Sequence, residues 1–141
     1  SRIPVATTAR RMIRTTAYQE RLDALSTGAE GERLAAEYLL KEGFDLLHRN
    51  WRNGRCEIDL VARRDGVLHI IEVKSRAADG LTAPEEAMTA AKFRSLCKAV
   101  RGYIATYGLD MDVQFDFIGV EFDADGTHTL RYLPDAMAPR W

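Results

Sequence analysis

Cysteine is scarce: Cys56 and Cys97 stand alone in 141 residues, with no CxxC and no Cys/His cluster. That excludes a zinc centre and a disulfide framework, and it reads as two reduced thiols in a cytoplasmic setting. No stretch approaches the roughly 20 uninterrupted apolar residues of a membrane helix, because charges such as Glu72 and Asp116 break the longest apolar runs. A membrane partner is therefore not expected. There is no P-loop, no dinucleotide glycine motif, no Ser/His/Asp order, no internal repeat and no low-complexity tract. His48, His69 and His128 lack ligand spacing and read as incidental. Nor is there an excess of one charge: 20 Lys+Arg against 21 Asp+Glu leave −1, so bulk charge does not announce a nucleic-acid binder.

What is present is the balance of one globular domain, 46% hydrophobic and 29% charged. Charge is uneven along it: residues 1–56 hold 10 basic and 7 acidic groups, residues 57–141 hold 10 and 14. Residues 1–27 read as a basic arm or capping helix, with Arg2, Arg10, Arg11 and Arg14 and no acid before Glu20. No apolar segment of the right length follows Arg10-Arg11, which argues against a twin-arginine export signal. Residues 28–133 form the expected domain and 134–141 a tail.

Within the domain, Thr27-Gly28-Ala29-Glu30 fits a capping box before a helix from Gly31 to Glu42, stopped by Gly43. Phe44–Trp51 reads as a strand, with a turn at Arg52-Asn53-Gly54-Arg55. Two β-rich runs, Glu57–Arg63 and Val67–Lys74, meet at Asp65-Gly66, the strongest hairpin signal in the chain. Ser75–Ala83 reads as a loop, extending through a turn at Pro84–Met88. Thr89 then caps a helix from Ala90 to Tyr107, ended by Gly108. Its buried stripe is Phe93, Leu96, Cys97, Val100 and Ile104. Strands at Val113–Phe122 and Thr127–Leu133 complete the order α-β-β-β-α-β-β.

The hairpin carries the chemistry. A type I′ turn at Asp65-Gly66 sets Asp59 opposite Glu72, Glu57 opposite Lys74, Leu60 opposite Ile71 and Ile58 opposite Val73. Alternation places Glu57, Asp59, Glu72 and Lys74 on one face, and Ile58, Leu60, Ile71 and Val73 on the other. Val61, Leu68 and Ile70 share the acids' face, so that face is expected to be covered. Facing like charges destabilise a ladder, and a divalent cation compensates for them. Mg²⁺ suits the site because it takes oxygen ligands, binds through one or two carboxylates and keeps several waters. Lys74 can steady the pair without metal. Glu32 borders the apolar stripe of the first helix, where its carboxylate points toward the same charged face.

These residues resemble the PD-(D/E)xK nuclease superfamily, whose pattern is an acid on one strand and E-x-K on the next, here Asp59 and Glu72-Val73-Lys74. A wider set resembles the YraN-like family of bacterial endonuclease-related proteins, itself similar to archaeal-type Holliday junction resolvases. That set is Gly31-Glu32, Arg49-Asn50-Trp51, Glu57-Ile58-Asp59-Leu60, Ile71 to Arg76, Lys92 and Phe115-Asp116, and it spans about Gly28 to Leu133. The resemblance implies an α/β, restriction-endonuclease-like αβββαβ core with a mixed central sheet flanked by helices. It implies Mg²⁺-dependent phosphodiester hydrolysis, with Mn²⁺ able to substitute. Asp59 and Glu72 would ligate the metal, Glu32 would assist, and Lys74 would act on water or phosphate. Two departures stand out: Cys56 where the family usually has Gly, and Gln114 where a basic residue commonly precedes Phe-Asp.

Other residues admit two readings each. Arg94, Lys98 and Arg101 form a basic ridge that tracks a DNA backbone or is simply a solvated helix face. Lys92, Arg52 and Arg76 are further phosphate-contact candidates. Trp51 among Arg49, Arg52 and Arg55 stacks on an unpaired base or packs at the core rim. Asp116 is expected on a partly buried strand, supporting Lys92 or Lys74. The function expected is a metal-dependent endonuclease on branched or otherwise structured DNA, whose two-fold symmetry would suit a homodimer. The alternative is a non-catalytic nucleic-acid-binding or adaptor protein that retains the fold.

Overall fold

The computed structural model describes residues 27–77 and 88–137. Five strands, β1 (Asp45–Asn53), β2 (Cys56–Arg64), β3 (Val67–Ala77), β4 (Asp112–Phe122) and β5 (His128–Met137), lie in one sheet in that order. Only β3 and β4 are parallel. A parallel neighbour requires a crossover, and helix α2 (Ala90–Tyr107) lies within it. Helix α1 (residues 27–41) covers one face and α2 the other. The result is a mixed α/β sheet between two helices, consistent with a restriction-endonuclease-like core and in the element order read from the sequence.

Each helix seals its own core. Leu34, Ala35 and Leu39 of α1 pack with Leu60, Ile71, Val73 and Ile118. Leu96, Val100 and Tyr103 of α2 pack with Val61, Leu68, Ile70 and Phe115. A fully buried Leu or Ile contributes roughly 1.5–3 kcal/mol, so these two layers fix where the strands' polar ends emerge.

The turn chemistry is as read. Asp65 and Gly66 have φ of 53° and 76°, the two positive values a type I′ turn requires. Thr89 caps α2 by accepting the Lys92 amide at 3.1 Å, and Gly108, with φ of 62°, ends it. Of the expected stripe Leu96, Cys97 and Val100 are buried and Phe93 and Ile104 only partly so, while Ala99 and Tyr103 are buried beside them.

Four readings change. Thr27 to Glu30 is already helical, so it is not a cap, and Glu30 instead holds Arg33 at 2.7 Å. β1 runs on to Asn53, leaving Gly54-Arg55 as its turn. β3 continues through Ser75–Ala77 because β4 offers Val120, Glu121 and Phe122 as parallel partners. β5 runs four residues beyond Leu133 to Met137. Pro134 is tolerated there because β5 is an edge strand, and a bulge with Asp135 at φ of 53° re-pairs Met137 with Phe115. The basic arm, the loop beyond Ala77, most of the Pro84–Met88 turn and the last four residues of the tail lie outside the described residues.

Candidate active site

The β2–β3 ladder runs from Arg64 and Val67 to Leu60 and Ile71, and pairing then stops. In an unbroken register the Val73 amide would meet the Ile58 carbonyl. Instead it donates to Asp59 Oδ2 at 2.9 Å. The expected ladder pairs Asp59–Glu72, Ile58–Val73 and Glu57–Lys74 are therefore not formed.

The alternation of faces breaks at the same place. Leu60 lies in the α1 core, but Ile58, two residues away, lies in the α2 core, so the reading that set them on one face is corrected. Opposite the break on β1, between the pairs Arg49–Leu60 and Trp51–Ile58, stands Asn50 at φ of 52°. Asn tolerates that left-handed backbone better than most residues. Asn50 was not singled out as part of the site.

The distortion nevertheless keeps the acids together. Asp59 and Glu72 are both half-buried. Burial, then the Asp59 charge, pushes Glu72 up to about 8, and the Lys74 ammonium only partly offsets this. Burial is also the main cause that raises Asp59 to about 6, opposed by the Val73 amide and reinforced by Glu32. Two carboxylates that cannot both ionise easily are a place where a cation is worth more than on an open surface.

Glu32 reaches this region because α1 docks closely. A Cβ on the neighbouring Gly31 would collide with Ser75 Oγ on β3. Ser75 Oγ is buried and lacks a hydrogen-bond partner among the described residues. Lys74 is half-buried, two residues beyond Glu72 on the strand face that carries Leu68 and Ile70 toward α2. Among the described residues no ion pair within 4 Å involves Lys74. Glu57 is exposed and pairs with Arg52 at 3.6 Å rather than with Lys74.

Among the described residues no group of three or more His, Cys, Asp or Glu is arranged as a metal cage. The gathered donors are two carboxylates, an oxygen set that fits Mg²⁺ with much of its water retained and does not fit zinc.

The remaining candidates separate clearly. Lys92, Arg94, Lys98 and Arg101 are exposed on α2, a helix without a single acid. Arg76 holds Glu121 across the parallel pair at 2.7 Å. Asp116 supports neither lysine: it is fully buried, with Oδ2 2.6 Å from His69 Nδ1. It also accepts from the Tyr132 hydroxyl at 2.7 Å, the Gln114 amide at 2.9 Å and the Asp135 N–H at 2.8 Å. His69 is thus a structural partner rather than incidental. So is His48, whose Nδ1 lies 2.7 Å from the Tyr103 hydroxyl. Trp51 is half-buried against Tyr103 and Tyr107 at the core rim.

Residues 31–120 match the model of the uncharacterised protein family UPF0102. A UPF0102 protein of Porphyromonas gingivalis is 39% identical over 100 residues, covering 71% of this chain and 74% of its own. One from Chlorobium chlorochromatii is 38% identical over 114 residues, covering 77% and 88%. One from Bacteroides fragilis is 36% identical over 112 residues, covering 79% and 92%. The matched span contains Glu32, Asp59, Glu72 and Lys74.

Proposed function

The chain belongs to the UPF0102 family, and from the chemistry of its site we propose that it is a metal-dependent endonuclease that hydrolyses phosphodiester bonds in DNA. The observation that carries this is the half-buried Asp59–Glu72 pair, both carboxyls raised by burial, with Lys74 two residues beyond Glu72. Asp59 and Glu72 would hold Mg²⁺, or Mn²⁺ in its place, with Glu32 adding negative charge from α1. When bound, the ion supplies Lewis-acid polarisation of the phosphoryl oxygen and a more acidic water.

The chain's own residues do the rest. The Val73 amide fixes one oxygen of Asp59, which leaves the other for the ion. The Lys74 ammonium orients the attacking water or neutralises charge that develops on the phosphate. Lys92, Arg94, Lys98 and Arg101 offer phosphate contacts along α2. Arg52 and Arg76 are weaker candidates, since each already faces a glutamate. A cytoplasmic setting agrees with two free cysteines, no described helix is long and apolar enough to cross a membrane, and branched DNA with two-fold symmetry would suit a homodimer.

Cleavage of linear, flapped and four-way DNA under Mg²⁺ and Mn²⁺ titration tests the proposal. Wild-type protein cuts at least one substrate, and Asp59→Ala and Lys74→Ala do not. Cutting that survives both substitutions removes the mechanism. Binding without any cutting assigns the fold to a nucleic-acid-binding adaptor.

A further inference from the structure

The β1–β2 turn is fastened to α2 at both of its corners. Asn53 and Cys56 are the last pair of that ladder, and Gly54 and Arg55 lie between them. Cys56 Sγ lies 3.6 Å from Ser95 Oγ. A Cβ at Gly102 would collide with Asn53 Nδ2, so the missing side chain lets the Asn53 amide lie against the helix. Lys98 follows Ser95 by three residues and precedes Gly102 by four, which makes it the surface neighbour of both on α2. The two contacts therefore bring the turn that carries Arg55 to the flank of α2 that carries Lys98.

Asn53, Arg55, Ser95 and Lys98 are all exposed. Among the described residues no ion pair within 4 Å holds Arg55 or Lys98, and α2 has no acid to offer either of them. Like charges brought to one edge repel each other, and a polyanion reverses that cost. The chemistry of the four selects which one. Two cations, a side-chain amide and a hydroxyl are the donor types that contact DNA phosphates. A protein interface would instead need an apolar or aromatic centre, and a membrane surface would need large apolar side chains on the helix. Among the described residues the exposed large hydrophobics are Leu40, on α1, and Tyr107, which lies nine residues past Lys98, about 13 Å along α2. Neither is at this edge.

We propose that the β1–β2 turn and α2 together clamp the DNA backbone, with Arg55 and Lys98 each neutralising a phosphate and Asn53 and Ser95 adding hydrogen bonds. This rests on the nuclease reading and adds to it where the substrate backbone lies. Arg55 is four residues before Asp59, so their Cα atoms are no more than about 14 Å apart. The clamped phosphates thus flank the bond to be cut. Contacts of this kind carry no base information, so the clamp positions DNA of any sequence.

The test measures binding of two labelled duplexes of unrelated sequence to the full chain across a salt series, without divalent metal. Each phosphate contact that is lost makes the slope of log affinity against log salt shallower by about 0.9. Arg55→Gln and Lys98→Gln each do so by that amount, equally on both duplexes, and the double variant by about twice as much. Lys41→Gln removes the same charge from α1, on the opposite face of the sheet, and leaves the slope unchanged. An unchanged slope in Arg55→Gln or Lys98→Gln overturns the clamp, as does an equal change in Lys41→Gln. So does a wild-type chain that binds phosphatidylserine vesicles but neither duplex. If wild type nevertheless cuts DNA under Mg²⁺, the nuclease reading survives that failure. If the slopes change as stated and no substrate is cut, the clamp stands and the nuclease reading falls.

Discussion

Asp59 accepts the Val73 amide at 2.9 Å, so the carboxylate nominated to hold a cation also closes the gap where the β2–β3 ladder stops. Its two roles separate by substitution. Asp59→Ala leaves a part-buried N–H without an acceptor, which costs about 1–3 kcal/mol. Asp59→Asn keeps an acceptor oxygen and stays within about 1 kcal/mol. Urea unfolding at pH 5, where the acidic pair retains a proton, should place Asn close to wild type and Ala below it, while both abolish cleavage. Equal stability of the two variants would show that the Val73 contact does not matter to the fold.

The raised carboxyls also set a pH dependence. Glu72 titrates near 8 and Asp59 near 6 in the folded chain, against about 4 for exposed carboxyls in the unfolded one. Between those values the folded state binds more protons than the unfolded state, so stability falls as pH rises. The metal-free melting temperature should therefore be higher at pH 5 than at pH 8. Mg²⁺ should restore part of the loss at pH 8, because it binds the folded pair. Glu72→Gln should flatten the profile and remove the Mg²⁺ effect. A wild-type profile that does not fall over this range would contradict the burial of the pair.

Gly31 and Ser75 give opposite expectations at one contact. Gly31→Ala forces a methyl into Ser75 Oγ, and overpacking of this kind costs about 1–3 kcal/mol. It also pushes α1 outward and takes Glu32 with it, so the Mg²⁺ concentration needed for half-maximal thermal stabilisation should rise. Ser75→Ala removes a buried hydroxyl that lacks a hydrogen-bond partner among the described residues, and should be neutral or mildly stabilising. Chemical denaturation of both variants checks the pair. Destabilisation by Ser75→Ala would reveal a partner for that hydroxyl.

Most of the fold was legible because its signals are local. Asp65-Gly66 can make only a few turns, and Thr89 and Gly108 bracket one helix, so the hairpin and α2 followed from neighbours in sequence. Asp59, Glu72 and Lys74 could be named as candidates from the strands that flank that turn, and Glu32 from its place on the first helix, although the ladder the turn starts ends at Leu60 and Ile71. The face change at Asp59 was not legible. It depends on Asn50, nine positions upstream, adopting a left-handed backbone against it, and strict alternation carries no trace of that. Asn in the middle of a strand was the available clue. The extension of β5 was hidden by Pro134, which ends a strand by local rules but not on a sheet edge. His69 seemed incidental because its partner, Asp116, is 47 residues away and comes alongside only through the parallel β3–β4 pairing.

Asp116 provides a control that separates fold from chemistry. Its carboxylate answers His69, Gln114, Tyr132 and the Asp135 N–H inside the sheet. Burial and this contact also push the Tyr132 hydroxyl well above its ordinary range. Asp116→Ala strands all four groups, and disruption of a buried network on this scale costs about 3–5 kcal/mol. Asp116→Asn also destabilises, because its amide would direct donors at groups that already donate. Neither change touches Asp59, Glu72 or Lys74. At a temperature where the variant is still folded, it should therefore retain the Mg²⁺-induced rise in melting temperature and cut DNA. A variant that unfolds like wild type in urea but no longer cuts would move Asp116 from the scaffold into the reaction.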